Sequence, residues 1–113
     1  MKSNDDILSF KNKEEAELLL NKSRKRIDEI DNALFDLISE RTSLAKDIAR
    51  SKEYLGKPIF DKNREDAIHE KVERIARENN LDVDIINQIV NMLTMLSKNE
   101  QKEILRRNVN GQY

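Results

Sequence analysis

Arg41 and Lys52 stand eleven residues apart in a segment of unbroken helical periodicity, which is about three turns and ~16 Å along an α-helix. They share a face, and two long cationic side chains bending toward each other can grip a small anion between them. Ser97 and Gln101 form an i,i+4 polar pair on a second apolar helical stripe. Arg64 and Glu65 follow directly on Asp61, a residue type that caps helices. Cations, a neutral amide, a hydroxyl and a single acid suit the binding and conformational control of a small dicarboxylate. Arg24 lies seventeen residues before Arg41, about 25 Å away on the same helix. If it serves the same ligand, it must come from a second copy of the chain.

The elements that carry these groups follow from the pattern. Asn12 with Glu15 fits a capping pair, and helical periodicity then runs to about Lys52. Its stripe reads Leu20, Arg24, Ile27, Asp31, Leu34, Ile38, Arg41, Ala45, Ile48, Lys52. Three cations and a carboxylate thus occupy positions where a plain coiled coil places apolar residues. Asp31 is read as a structural partner of a neighbouring Arg. The stretch Leu55-Gly56-Lys57-Pro58-Ile59-Phe60 is the first loop. Asp61 is expected to cap a second helix reaching Glu78 or Asn79, and Asp82 a third running to about Arg107. Residues 1–12 read as a flexible leader, 13–107 as the helical domain and 108–113 as a tail. His69 is expected to face solvent, and Met92 and Met95 to fill core.

Composition narrows the function. The 113 residues hold 21 Lys and Arg against 22 Asp and Glu, a net charge of −1, without the basic excess of a nucleic-acid binder. With no Cys and one His, thiolate and clustered imidazole metal sites are excluded, as is a cysteine nucleophile. No apolar run approaches the ~20 residues of a membrane span, so a cytoplasmic protein without metal, cofactor, nucleic acid or membrane as partner is expected. A first helix of ~40 residues would extend about 60 Å, beyond what two shorter helices of one small domain can cover. The expected fold is therefore all-α, with three helices per chain, one long and two shorter, forming an intertwined helical homodimer.

These residues resemble the all-helical (type II) class of chorismate mutases. The resemblance rests on Arg24-Lys25-Arg26-Ile27-Asp28-Glu29-Ile30-Asp31, on Glu40-Arg41, Leu44-Ala45-Lys46 and Lys52, on Gly56 to Asp61 with Arg64-Glu65, and on Ser97 and Gln101. It covers about Leu18 to Leu105; Lys62, Asn63 and the leader depart from the pattern. It implies the Claisen rearrangement of chorismate to prephenate, on the route to phenylalanine and tyrosine. The absence of an obvious nucleophile or metal site suits a pericyclic reaction, which needs its substrate held folded and donors aimed at the breaking ether bond.

The resemblance also implies roles. Arg41 and the second copy's Arg24 would bind the two carboxylates. Lys52 would touch a carboxylate and the ether oxygen, and Gln101 would donate to that same oxygen. Glu65 would accept from the ring hydroxyl, supported by a backbone N–H near Asp61. Ser97 would bind the ring carboxylate, and Arg64 would add positive potential. Taken singly, each has a structural reading: Arg41 or Lys52 as a snorkelling edge residue, Glu65 as an acid favoured by the helix dipole. In combination they read as a site. Two alternatives remain at this level: an isochorismate pyruvate lyase of the same fold, and a non-catalytic helical dimerisation module. At this length a separate regulatory domain is not expected, and docking to neighbouring pathway enzymes is left open.

Overall fold

A computed structural model describes residues 9–109. Four helical segments follow one another, α1 (Lys13–Ser43), α2 (Ala45–Leu55), α3 (Lys62–Glu78) and α4 (Val83–Val109), with no strand among the described residues. Three of their starts carry the expected side-chain caps. Asn12 Oδ1 accepts from the Glu15 N–H at 2.8 Å, Asp61 Oδ1 from Arg64 at 3.0 Å, and Asp82 Oδ1 from Ile85 at 2.9 Å. Each satisfies an N–H that has no partner within its own helix.

The run expected from Asn12 to Lys52 is interrupted at one residue. Leu44 keeps right-handed helical dihedrals (φ −68°, ψ −14°), but its N–H is shared between the Glu40 and Arg41 carbonyls, both at 3.3 Å. Just before it, the Thr42 hydroxyl donates to the Ile38 carbonyl at 2.8 Å and the Ser43 hydroxyl to that of Glu40 at 2.6 Å. Hydroxyls that bond carbonyls of the preceding turn loosen a helix locally. α1 and α2 are thus one long helix with a one-residue irregularity, followed by two shorter ones.

Two helices end on a positive-φ residue. After α2, Gly56 adopts a left-handed conformation (φ 70°), and the Lys57 N–H returns to the Lys52 carbonyl at 2.8 Å. After α3, Asn80 does the same (φ 56°), and the Leu81 N–H reaches the Ala76 carbonyl at 2.8 Å. Both are Schellman-type closures, whose left-handed position Gly and Asn fill most readily. α4 continues to Val109, slightly past the expected end. Residues 1–8 of the expected leader and 110–113 of the expected tail lie outside the described residues.

By its internal contacts the chain divides into Met1–Leu37 and Ile38–Tyr113. The described part of the first unit is helical from Lys13 and buries no side chain. Leu18, Ile27, Leu34, Phe35 and Leu37 are all exposed, Leu18 to 71%. A lone amphipathic helix gains its stability from covering such a face.

In the second unit α2 and α3 both pack on α4. The fully buried side chains are small: Ala45 and Ala49 on α2 and Ala76 on α3, joined by Ile104 of α4 at 5% exposure. Alanine lets helix backbones approach closely, and here it leaves room beside the contact for longer polar groups.

Two expectations change in this unit. His69 is half-buried, with Nδ1 3.2 Å from Asn87 Oδ1, because its position on α3 faces α4. Met92 and Met95 are exposed, to 61% and 47%, because α4 turns the opposite face to α2 and α3. No helix among the described residues is long and apolar enough to cross a membrane.

Candidate active site

A cavity of about 350 Å³ opens in the second unit, at the small end of the ~300–1,000 Å³ usual for small-molecule sites. Its apolar walls come from Leu44, Ile48, Ile59 and Ile68, and its polar groups from all four helices and the loop. Every residue that lines it falls between 41 and 101. A larger depression beside Asp47, Arg50 and Tyr54 has only exposed lining residues and brings no buried polar group to a point.

Gln101 is the most deeply buried polar residue among the described residues, at 3% exposure. Its Oε1 accepts from the Lys52 ammonium at 3.0 Å, and its Nε2 donates to Ser97 Oγ at 3.0 Å. An ammonium can only donate, so Lys52 dictates which end of the amide is oxygen. The NH₂ therefore lies on the Ser97 side, and one of its two hydrogens remains after the bond to Ser97.

Lys52 also donates to the Ile59 carbonyl at 2.7 Å. Helix α2 and the following loop are tied together through this one ammonium, across the turn that Gly56 makes possible. Two of its three N–H bonds are used in these contacts, which leaves a third for a ligand. Lys52 is half-buried, and the two oxygen partners offset the cost of desolvating its charge.

Arg41, near the end of α1, donates from Nη1 to the Leu93 carbonyl of α4 at 3.0 Å. That bond fixes the planar group and leaves further N–H donors on the guanidinium. At the opposite wall the Asp61 cap orders the first turn of α3, so Arg64 and Glu65 both line the cavity. Lys62, on the outer side of that turn, hydrogen-bonds Asp66 at 2.6 Å, a contact that raises its ammonium above the ordinary lysine value. Lys62 does not line the cavity.

The structure thus brings together seven of the eight residues singled out from the sequence: Arg41, Lys52, Asp61, Arg64, Glu65, Ser97 and Gln101. The eighth, Arg24, is exposed on α1 in the other unit.

Two polar lining residues were not anticipated, Thr94 and Lys98. Their signal was present, because residues 94, 97, 98 and 101 fall at i, i+3, i+4 and i+7 and make one polar helical face. Thr94 turns its hydroxyl back to the Val90 carbonyl at 3.0 Å. Lys98 reaches Glu65.

Comparison with known proteins bears on the chain as a whole. The pattern of the family described as chorismate mutase type II matches residues 23–102. A chorismate mutase of Methanocaldococcus jannaschii is 44% identical over 87 residues, which is 77% of this chain and 88% of that protein. A bifunctional chorismate mutase/prephenate dehydratase of Buchnera aphidicola subsp. Schizaphis graminum is 30% identical over 95% of this chain and 24% of its own length. One from Enterobacter agglomerans is 31% identical over 77% of this chain and 22% of its own length.

Proposed function

Because this chain belongs to the type II chorismate mutase family, we propose that its cavity rearranges chorismate to prephenate, with the residues of that cavity in specific roles. The observation that carries the assignment is the Lys52–Gln101 contact at 3.0 Å in a cavity whose apolar walls are Leu44, Ile48, Ile59 and Ile68. It places a cation and an oriented amide side by side, where a single ether oxygen can meet both. As the C–O bond breaks, negative charge grows on that oxygen, and preorganised donors lower the barrier by stabilising charge that is absent from the ground state.

Charge balance supports a dianionic substrate. The cavity is lined by four cations, Arg41, Lys52, Arg64 and Lys98, and two acids, Asp61 and Glu65. Asp61 is engaged as a helix cap and Glu65 with Lys98, which leaves Arg41, Lys52 and Arg64 to meet two carboxylates. Arg41 presents a planar fork suited to bidentate binding. Ser97 takes the ring carboxylate and Glu65 the ring hydroxyl. A million-fold acceleration requires about 8 kcal/mol, within reach of several preorganised charge-assisted hydrogen bonds.

The same reading makes the chain a homodimer. The apolar side chains that α1 leaves exposed need cover, and a second copy supplies an identical, self-complementary face. Arg24, on the same stripe, then reaches the partner's cavity as the remaining carboxylate ligand. This gives two composite sites.

The test is loss of chorismate absorbance on adding purified protein, with prephenate identified by acid conversion to phenylpyruvate. Saturable turnover to prephenate is expected. Release of pyruvate from isochorismate instead, with chorismate untouched, would replace this reading with the lyase.

A further inference from the structure

Glu65 presents a difficulty in a site for a dianion. A bare carboxylate beside two substrate carboxylates repels what the cavity must bind, and its side chain is free to turn toward solvent. The structure addresses both through a residue on another helix. Lys98 of α4 places Nζ 3.3 Å from Glu65 Oε2 and 3.5 Å from Oε1, so one ammonium spans both oxygens. The pair is largely shielded, with side-chain exposures of 27% for Lys98 and 20% for Glu65. The other ion pairs among the described residues have both side chains exposed to 38% or more. The same ammonium lies 5.3 Å from the centre of the Phe60 ring, within cation–π range. Lys98 therefore joins the loop, the first turn of α3 and the polar face of α4 along one edge of the cavity.

We propose that Lys98 is a positioning residue that holds the Glu65 carboxylate as a charge-balanced acceptor for the substrate's hydroxyl. The inference rests on the reading of the cavity as the site of chorismate rearrangement. A carboxylate has about four lone-pair positions, so Lys98 can hold Glu65 while leaving acceptor capacity toward the cavity. Pairing cancels the local negative charge without removing that capacity. Lys98 acts through Glu65 rather than on the reacting bond, and its removal should lower the rate by misplacing the acceptor.

The experiment is a double-mutant cycle on chorismate turnover with Lys98→Met, Lys98→Arg, Glu65→Gln and the Lys98→Met/Glu65→Gln pair. Lys98→Met should lower kcat about tenfold by misplacing the acceptor and also raise KM by about threefold or more, because the uncovered Glu65 charge repels the dianion. Lys98→Arg should restore most of the loss. In the Glu65→Gln background the same Met substitution should change kcat by less than about twofold, because the group it positions is already altered.

Thermal melting of the same proteins reads the pair without substrate. Lys98→Met should lower Tm by about 2–5 °C when Glu65 is present and not when Gln replaces it. Wild-type protein that leaves chorismate unchanged would sink the reading of the site and the positioning role with it. Normal wild-type turnover with losses that multiply, a loss confined to KM, or melts that show no coupling would overturn the role of Lys98 alone.

Discussion

The Lys52 ammonium donates to Gln101 Oε1 across 3.0 Å, and this bond settles the orientation of an amide that is otherwise free to flip. Gln101 is then ready to donate from nitrogen, with Ser97 Oγ holding one hydrogen at 3.0 Å. Lys52 is held in turn by the Ile59 carbonyl at 2.7 Å. The donor pair is thus organised before any ligand arrives, which is the condition under which hydrogen bonds lower a barrier most.

Lys52→Ala should reduce kcat/KM by about 10³-fold or more, because it removes a charged donor and releases Gln101 together. Far-ultraviolet circular dichroism should remain helical, since Lys52 caps no helix. Activity near wild type in that variant would refute the site assignment.

Gln101→Glu should convert a flat pH profile into a falling one. The wild-type amide donates at any pH near neutrality, so kcat/KM should hold from about pH 6 to 8. A carboxyl group donates only when protonated, and the Lys52 ammonium beside it favours the ionised form. Activity of the variant should therefore fall as pH rises. Rates from pH 5 to 9 for both proteins check this, and a wild-type loss between pH 6 and 8 would contradict it.

Arg24→Ala and Lys52→Ala should each be nearly inactive alone and should complement when their subunits exchange. A mixed dimer carries one cavity with both residues intact, so a one-to-one mixture should reach about a quarter of wild-type activity. If Arg24 acted within its own chain, mixing would restore nothing.

Gly56→Ala should destabilise the protein by about 1–2 kcal/mol per chain, the cost of a Cβ in the left-handed region. Nothing lies within 4 Å of the position that Cβ would occupy, so the cost is conformational rather than a clash. Urea unfolding should show the lower midpoint. Turnover per folded protein should stay close to wild type if the Lys52–Ile59 bond survives.

Much of the fold was legible in the chain. The caps at Asn12, Asp61 and Asp82 act within four residues of themselves, so local chemistry was sufficient to place three helix starts. The break at Leu44 was less visible. It depends on whether Thr42 and Ser43 turn their hydroxyls back onto the helix, and their identity alone does not decide that. His69 was misplaced for a different reason, since the side of α3 it occupies acquires meaning only once α4 is packed against that helix.

The sequence by itself determined the helices, the stripe with Arg41 and Lys52 in register, the i,i+4 pair of Ser97 and Gln101, and the family to which the chain belongs. All of these are periodic or local properties, carried by spacing along one chain. Tertiary structure decided which atoms meet. It sent Lys52 to the Ile59 carbonyl and Gln101, Arg41 to the Leu93 carbonyl, and Lys98 to Glu65 and Phe60. Those partners lie 7 to 52 residues apart in sequence, and in no pair do both members belong to one helix. Long side chains choose among several oxygens within reach, and only the packing of α2 and α3 on α4 makes that choice.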